Sequence, residues 1–243
     1  MNDLTLLYYT ANRIEERFAD AVRASLVDVK GRIALVTRDP GIPHVISVSQ
    51  RSINFGDNYC VGEIGASIYN CYRQVLIAAT AATTPFVACC EDDSLYVPEH
   101  FAYRPAPDVF AYNRNRWVIT RRLSADGKSR TAFYYWRERT QLAMLVCRRE
   151  LLIETLEERF AKFPEPIDHE TAKKAGWGEP GRYERNLGLT ARRRMYFTTT
   201  EPCVTFNHTA SLMGRRAVQE TDIVRQDLPP WGDADALWSR IYG

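Results

Sequence analysis

Long hydrophobic runs are missing from this chain. None approaches the roughly 18 apolar residues that a helix needs to cross a bilayer, so no membrane span is expected. Cysteine pairs at metal-binding spacing are missing too. The six cysteines include no C-x-x-C, which argues against a zinc–thiolate site and against a small disulfide scaffold. Cys60, Cys71, Cys147 and Cys203 are scattered, while Cys89 and Cys90 are neighbours on an apolar run. On a strand those two would point to opposite faces, as buried reduced thiols of a cytosolic protein. The start, Met1-Asn2-Asp3-Leu4, has no basic region, so no signal peptide is expected. Lysine is scarce, occurring only at positions 30, 128, 162, 173 and 174. Genomic base composition can cause such an arginine bias, yet arginine is also the better bidentate partner of phosphate. Charge imbalance is absent as well. A net charge of +2 with 45% hydrophobic residues argues against disorder, and 243 residues suffice for one domain with a real core. There is no internal repeat, heptad run or low-complexity segment.

What is present is an alternation of strand-like and helix-like stretches. Leu4 to Tyr9 reads as a buried strand and Thr10-Ala11-Asn12-Arg13 as a polar strand-to-helix turn. Ile14, Phe18, Val22 and Leu26 have helical spacing. Gly31 is expected to break that helix, with Arg32 to Arg38 a second strand, Asp39-Pro40-Gly41 a turn and Val45 to Val48 a third strand. Asn54 to Asn58 reads as a loop and Glu63 to Ala82 as a long helix. Pro85 to Cys90 then reads as a buried strand that ends on Glu91-Asp92-Asp93. Further on, Val109 to Tyr112, Trp117 to Thr120, Phe133 to Trp136, Leu142 to Cys147 and Tyr196 to Phe206 are strand-like. Ala125 to Lys128 looks like a hairpin turn, Arg149 to Phe160 an amphipathic helix, Asp168 to Glu184 a polar loop and Gly214 to Arg225 a helix. Strand–helix alternation implies an α/β fold with a mostly parallel sheet.

The acidic triplet is the most informative feature. Three adjacent acids at a strand's C-terminal edge repel one another, and that edge is where open α/β sheets bind ligands. A hard divalent cation takes carboxylate oxygens and keeps other positions for phosphate and water. In extended geometry Glu91 and Asp93 would face the same side. The alternative is an ordinary solvated acidic turn.

In residue type and place, the triplet after strand, helix, strands and long helix resembles the "DXD" element of GT-A glycosyltransferases, family-two enzymes in particular. That resemblance implies a GT-A (Rossmann-like) nucleotide-sugar-binding sheet over residues 1–100 and a mixed α+β acceptor-binding half over 101–243 of the same domain. It implies Mn²⁺ or Mg²⁺, a UDP-sugar donor, Asp93 as metal ligand, and Asp92 and Glu91 near ribose or metal-bound water. The first position here is Glu rather than Asp. The turn holding Thr10, Asn12 and Arg13 is where such folds place base, ribose and diphosphate, although Thr10 or Asn12 can equally cap the helix. Arg73-Gln74 stands where family-two enzymes carry an Arg-Asn pair, against the reading of Arg73 as a surface arginine. His208 matches a late metal ligand, against a structural histidine. Catalytic base candidates are Asp168, Glu170 and Glu179, with Asp168 also reading as a helix N-cap.

The stretch Ile46 to Phe101, including SVSQRSINFG, VGEIG and CCEDDSLYVPEHF, also looks like phage-encoded GT-A proteins associated with modified DNA bases. It implies a hydroxymethylated pyrimidine in DNA as acceptor and the host cytoplasm as location. Arginines at 114, 116, 121, 122 and 192–194, with Tyr134, Tyr135 and Trp136, suit nucleic acid through phosphate contact and stacking. A glycan, lipid-linked sugar or protein acceptor is the alternative. Two rival functions are a sugar nucleotidyltransferase, disfavoured because the first turn lacks a glycine-rich phosphate loop, and a catalytically silent nucleic-acid-binding protein on the same fold.

Overall fold

The computed structural model describes residues 3–37, 41, 43–123, 129–210 and 216–242. In chain order the elements are β1 (Leu4–Thr10), α1 (Glu16–Thr37), β2 (His44–Ser49), β3 (Asp57–Cys60), α2 (Ile68–Ala81), β4 (Phe86–Glu91), β5 (Ser94–Leu95), α3 (Pro98–Ala102), β6 (Val109–Asn113), β7 (Arg116–Leu123) and β8 (Arg130–Trp136). A 3-10 turn over Leu142–Met144 leads into β9 (Leu145–Arg148). Then come α4 (Arg149–Lys162), α5 (His169–Ala175), β10 (Arg193–Phe197), β11 (Cys203–Phe206), β12 (Ile223–Arg225), β13 (Asp227–Leu228), β14 (Gly232–Asp233) and α6 (Ala234–Tyr242).

The fold is α/β. One sheet has seven strands in the order β10-β6-β9-β4-β1-β2-β3, and only β9 runs antiparallel to its neighbours. Strands β6, β9 and β10, from beyond residue 100, are part of it. The two faces of this sheet hold separate cores, as period-two alternation requires. Leu7, Tyr9 and Cys89 pack with Tyr72 and Val75 of α2 and Leu152 of α4. Leu6, Tyr8 and Cys90 pack with Leu26 and Val29 of α1 and Phe101 of α3. A second sheet, β12-β8-β7-β11-β5, packs Ile119, Tyr134 and Phe206 against Phe18 of α1 and Leu237 of α6.

Several expectations are corrected. Gly31 does not end the first helix, and the part of Arg32 to Arg38 that is described, up to Thr37, is helix and not strand, because α1 continues to Thr37; Arg38 lies outside the described residues. Buried Val22, Leu26, Val29 and Ile33 form one helical stripe, and a Cβ on Gly31 would meet nothing within 4 Å. The roughly 1 kcal/mol helix cost of a glycine is smaller than the gain from burying Val29 and Ile33. The helix expected from Glu63 starts at Ile68 instead, because Gly62 and Gly65 have positive φ and Ser67 caps the first turn. The expected loop at Asn54 to Asn58 ends in edge strand β3. The polar stretch Asp168 to Glu184 contains α5, and the tail contains α6, which the sequence reading lacks. Residues 216–222 are not helical, and Ile223–Arg225 is strand. Asp39-Pro40, Ala125 to Lys128 and Gly214 lie outside the described residues. Strands β7 and β8, flanking Ala125 to Lys128, do pair antiparallel.

Candidate active site at the ends of β1 and β4

The chain leaves β1 through α1 to β2 on one side, and reaches β4 on the other side of β1 through α2. Neighbouring strands whose connections diverge in this way leave a crevice beyond their C-terminal ends. Thr10 closes β1 and Glu91 closes β4, with Tyr9 and Glu91 in register. A cavity of about 510 Å³ opens there.

The acids are held by hydroxyl and amide donors. The Tyr9 hydroxyl donates to Glu91 Oε1 at 2.8 Å, and Gln141 Nε2 donates to Glu91 Oε2 at 3.3 Å. The Thr10 hydroxyl donates to Asp92 Oδ2. Ser94 Oγ donates to Asp93 Oδ1 at 3.0 Å, and His208 Nε2 lies 3.2 Å from Asp93 Oδ2. Antiparallel pairing of β5 with β11 makes the last contact, since Asp93 precedes one strand and His208 follows the other. The expectation of an extended Glu91-Asp92-Asp93 is corrected. The chain turns at Asp92 and Asp93 to pass from the first sheet to the second, and all three acids still line the cavity.

Crowding shows in their acidities. Burial, with the charge of Asp93 adding to it, pushes Glu91 up to about 8. The same two causes push Asp92 up to about 7. Burial alone would lower His208, but its hydrogen bond with Asp93 and the charges of Asp93 and Asp92 raise it. A cation bound here would relieve the repulsion.

Thr10, Arg13, Glu179 and His208 line the same cavity as the three acids. Asn12, Arg73 and Asp168 do not. Asn12, at φ 52°, has its Oδ1 committed to the backbone N–H groups of Gln50 and Arg51 at 2.8 and 2.9 Å, so it shapes the turn from below. Arg73 is exposed on α2, while its neighbour Gln74 turns inward and donates to the carbonyls of Thr10 and Val48 at 2.8 and 3.1 Å. Asp168 is exposed and caps α5, accepting from the Thr171 N–H at 2.9 Å. Glu170 is exposed too and does not line the cavity. Glu179 sits 3.7 Å from Arg182 with its side chain 16% exposed.

The opposite wall comes from the second sheet. Register pairs Cys203 with Arg116, Thr205 with Val118 and Val118 with Tyr135, and the alternate residues Arg116, Val118, Tyr135 and Arg137 face the cavity. Arg137 is ion-paired with Asp222. Sequence reasoning missed Tyr9, Gln141 and the cavity role of Arg116. The period-two pattern of β7 could have shown Arg116 on a face with Val118, but nothing marks Gln141.

Among the described residues, no group of three or more His, Cys, Asp or Glu side chains is arranged to hold a metal by itself. Asp93 and His208 offer two donors on one wall. That fits Mg²⁺ or Mn²⁺, which take one or two protein ligands and complete their shell with phosphate and water. It does not fit a structural zinc cage.

No family model matches the chain, and no curated protein matches it. Several solved structures are distantly similar. The chain is 12% identical to a putative protein (Aq1419) from Aquifex aeolicus VF5, over 81% of this chain and 87% of that one, with a TM-score of 0.40. It is 9% identical to the glycosyltransferase GlyE of Streptococcus pneumoniae TIGR4, over 82% of this chain and 45% of that one, with a TM-score of 0.40. It is 10% identical to the bifunctional IspDF of Campylobacter jejuni, over 82% of this chain and 50% of that one, with a TM-score of 0.35. The chain thus spans about half the length of the last two. At these scores the likenesses carry no argument, and the reading of function rests on the site.

Proposed function

We propose that the protein is a glycosyltransferase of GT-A type. It moves a sugar from a nucleoside-diphosphate sugar, UDP as the first candidate, to a hydroxyl acceptor, with the help of Mn²⁺ or Mg²⁺. One observation carries the reading: three mutually repelling acids and His208 meet in a cavity at the point where the strand order reverses. Such an arrangement is costly unless a cation and a polar ligand compensate it.

Asp93 and His208 would hold the ion. It would neutralise charge on the departing nucleoside diphosphate. The hydroxyls of Tyr9 and Thr10 fix Glu91 and Asp92, which keeps both carboxylates from folding onto Asp93. Arg13, which lines the cavity at the first strand-to-helix turn, would meet the diphosphate, and Gln74 donates to the carbonyl of Thr10. Glu179 is the base candidate that remains, because Asp168 and Glu170 lie outside the cavity. It would take the proton of the acceptor hydroxyl as that oxygen attacks the anomeric carbon.

A DNA acceptor rests on the sequence resemblance. Several of the arginines that suggested it already have carboxylate partners: Arg114 with Glu138, Arg192 with Glu158 at 3.4 Å and Arg193 with Asp108 at 2.7 Å. The test is release of nucleoside diphosphate from a panel of UDP-, GDP- and CDP-sugars with Mn²⁺. The panel is run alone, with simple glycosides and with DNA bearing hydroxymethylated pyrimidines. Turnover of one donor that Asp93→Ala abolishes supports the reading. A silent panel in which DNA still binds unchanged to Asp93→Ala would favour the non-catalytic binding protein.

A further inference from the structure

Buried arginines in this fold normally have a carboxylate partner. Arg159, at 0% exposure, has Glu184 at 3.0 Å. Arg23, at 7%, has Glu16 and Asp20. On the cavity wall Arg137 has Asp222, and Arg182 has Glu179. Arg116 breaks the pattern. It is 5% exposed, lines the cavity and makes no ion pair among the described residues; its buried Nε lacks a hydrogen-bond partner, as does that of Arg159, so the missing carboxylate is what sets it apart. Arg139, at the cavity's edge, also lines it and also makes no ion pair among the described residues. The two guanidiniums feel each other: burial, and then the charge of Arg139, pushes Arg116 down to about 10. The carboxylates whose charge reaches them belong to the site itself, Asp93 and Glu91 for Arg116 and Glu179 for Arg139.

A buried guanidinium with no ion pair among the described residues, in a cavity that a second arginine also lines, is unfavourable without an anion. It becomes favourable when an anion with several oxygens arrives, because the planar fork matches phosphate. We propose that Arg116 and Arg139 form a phosphate-binding subsite that receives a phosphate group carried by the acceptor, separate from the place of the donor's diphosphate. Placement favours the acceptor. Arg116 opens β7 and Arg139 follows β8, both in the second sheet, whereas Arg13 of the first strand-to-helix turn is the arginine on the donor side. The acceptor would then be a phosphorylated sugar or a nucleic acid rather than a neutral glycan. This rests on the glycosyltransferase reading only for the words donor and acceptor.

The test is calorimetric titration of inorganic phosphate into the full chain, first alone and then saturated with UDP and Mn²⁺. Phosphate is expected to bind in both conditions. Arg116→Gln or Arg139→Gln should weaken it by about tenfold or more, while UDP·Mn²⁺ affinity stays within about twofold. Arg139→Gln, at the more open position, carries the test if the buried substitution prevents folding. Competition between phosphate and UDP, or loss of UDP affinity in the variants, would assign the arginines to the donor and overturn the proposal. Absence of phosphate binding, or binding that both folded variants retain, would also overturn it. If UDP fails to bind while phosphate binding is present and lost in the variants, the donor reading falls and the phosphate site stands.

Discussion

The two walls of the cavity are built on opposite principles. On the first sheet, Glu91, Asp92 and Asp93 each receive a hydrogen bond from a neighbouring side chain, so their oxygens are aimed before any ligand arrives. On the second sheet, Arg116 is buried with hydrogen-bonding capacity unused. The acids are oriented but crowded by like charge. The arginine is desolvated and makes no ion pair among the described residues. Each condition disfavours the empty site, and each is relieved by a ligand of opposite sign, a cation for one wall and an anion for the other. The proposed nucleoside-diphosphate sugar with its metal ion, and the proposed phosphate-bearing acceptor, would supply both.

Comparing two buried arginines gives the largest effect. Arg159→Ala should cost about 3–5 kcal/mol of stability, because it strands buried Glu184. Arg116→Gln should cost far less or nothing, since it removes a charge that has no carboxylate partner among the described residues. Equal losses in chemical denaturation would mean that Arg116 has a structural partner after all.

Within the acid wall, Asp93→Asn should lower kcat/KM roughly 100-fold or more while the ligand-free protein keeps or gains melting temperature. The gain follows because the charge of Asp93 is one cause of the raised pKa values of both Glu91 and Asp92. A variant that loses activity only because it unfolds would break this account.

The same acidities fix a pH dependence. With Glu91 at about 8 and Asp92 at about 7 in the folded state, against roughly 4 for unfolded carboxylates, the folded protein holds protons that the unfolded chain has released. Stability of the ligand-free protein should therefore fall as pH rises from about 5 through 8, as far as these groups govern it. Bound Mn²⁺ would favour the deprotonated carboxylates, so the melting-temperature increment given by UDP and Mn²⁺ together should grow between pH 6 and 8. An increment flat with pH would contradict the crowding of the acids.

Asn12→Ala should have the smallest effect, about 1–2 kcal/mol, from two stranded backbone N–H groups and an alanine held at positive φ. If Asn12 supports the turn without touching ligand, the KM for the donor should change little beyond what lost stability explains.

Much of this was legible in the sequence. The buried run ending in Glu91-Asp92-Asp93, its adjacent thiols on opposite faces and the strand before His208 all follow from local pattern. At the first helix Gly31 is a strong local signal for a break, whereas the apolar stripe that overrides it, from Val22 to Ile33, extends over three turns. Arg73 rests on the family-two resemblance and Asp168 on its polar Gly/Pro-rich stretch; both are exposed and neither lines the cavity. Gln141 and Arg116 reach the site through pairing between strands distant in sequence, which no local pattern carries. The charge imbalance of Arg116 exists only once the second sheet has folded over the ends of β1 and β4.

The most direct test of the central claim is thermal denaturation of wild type and Asp93→Asn with UDP, with Mn²⁺ and with both. A rise on the order of 5 °C is expected at ligand about 100-fold above its dissociation constant, seen only with UDP and Mn²⁺ together and only in the wild type. Equal stabilisation of both proteins by UDP without Mn²⁺, or no stabilisation under any condition, would contradict it.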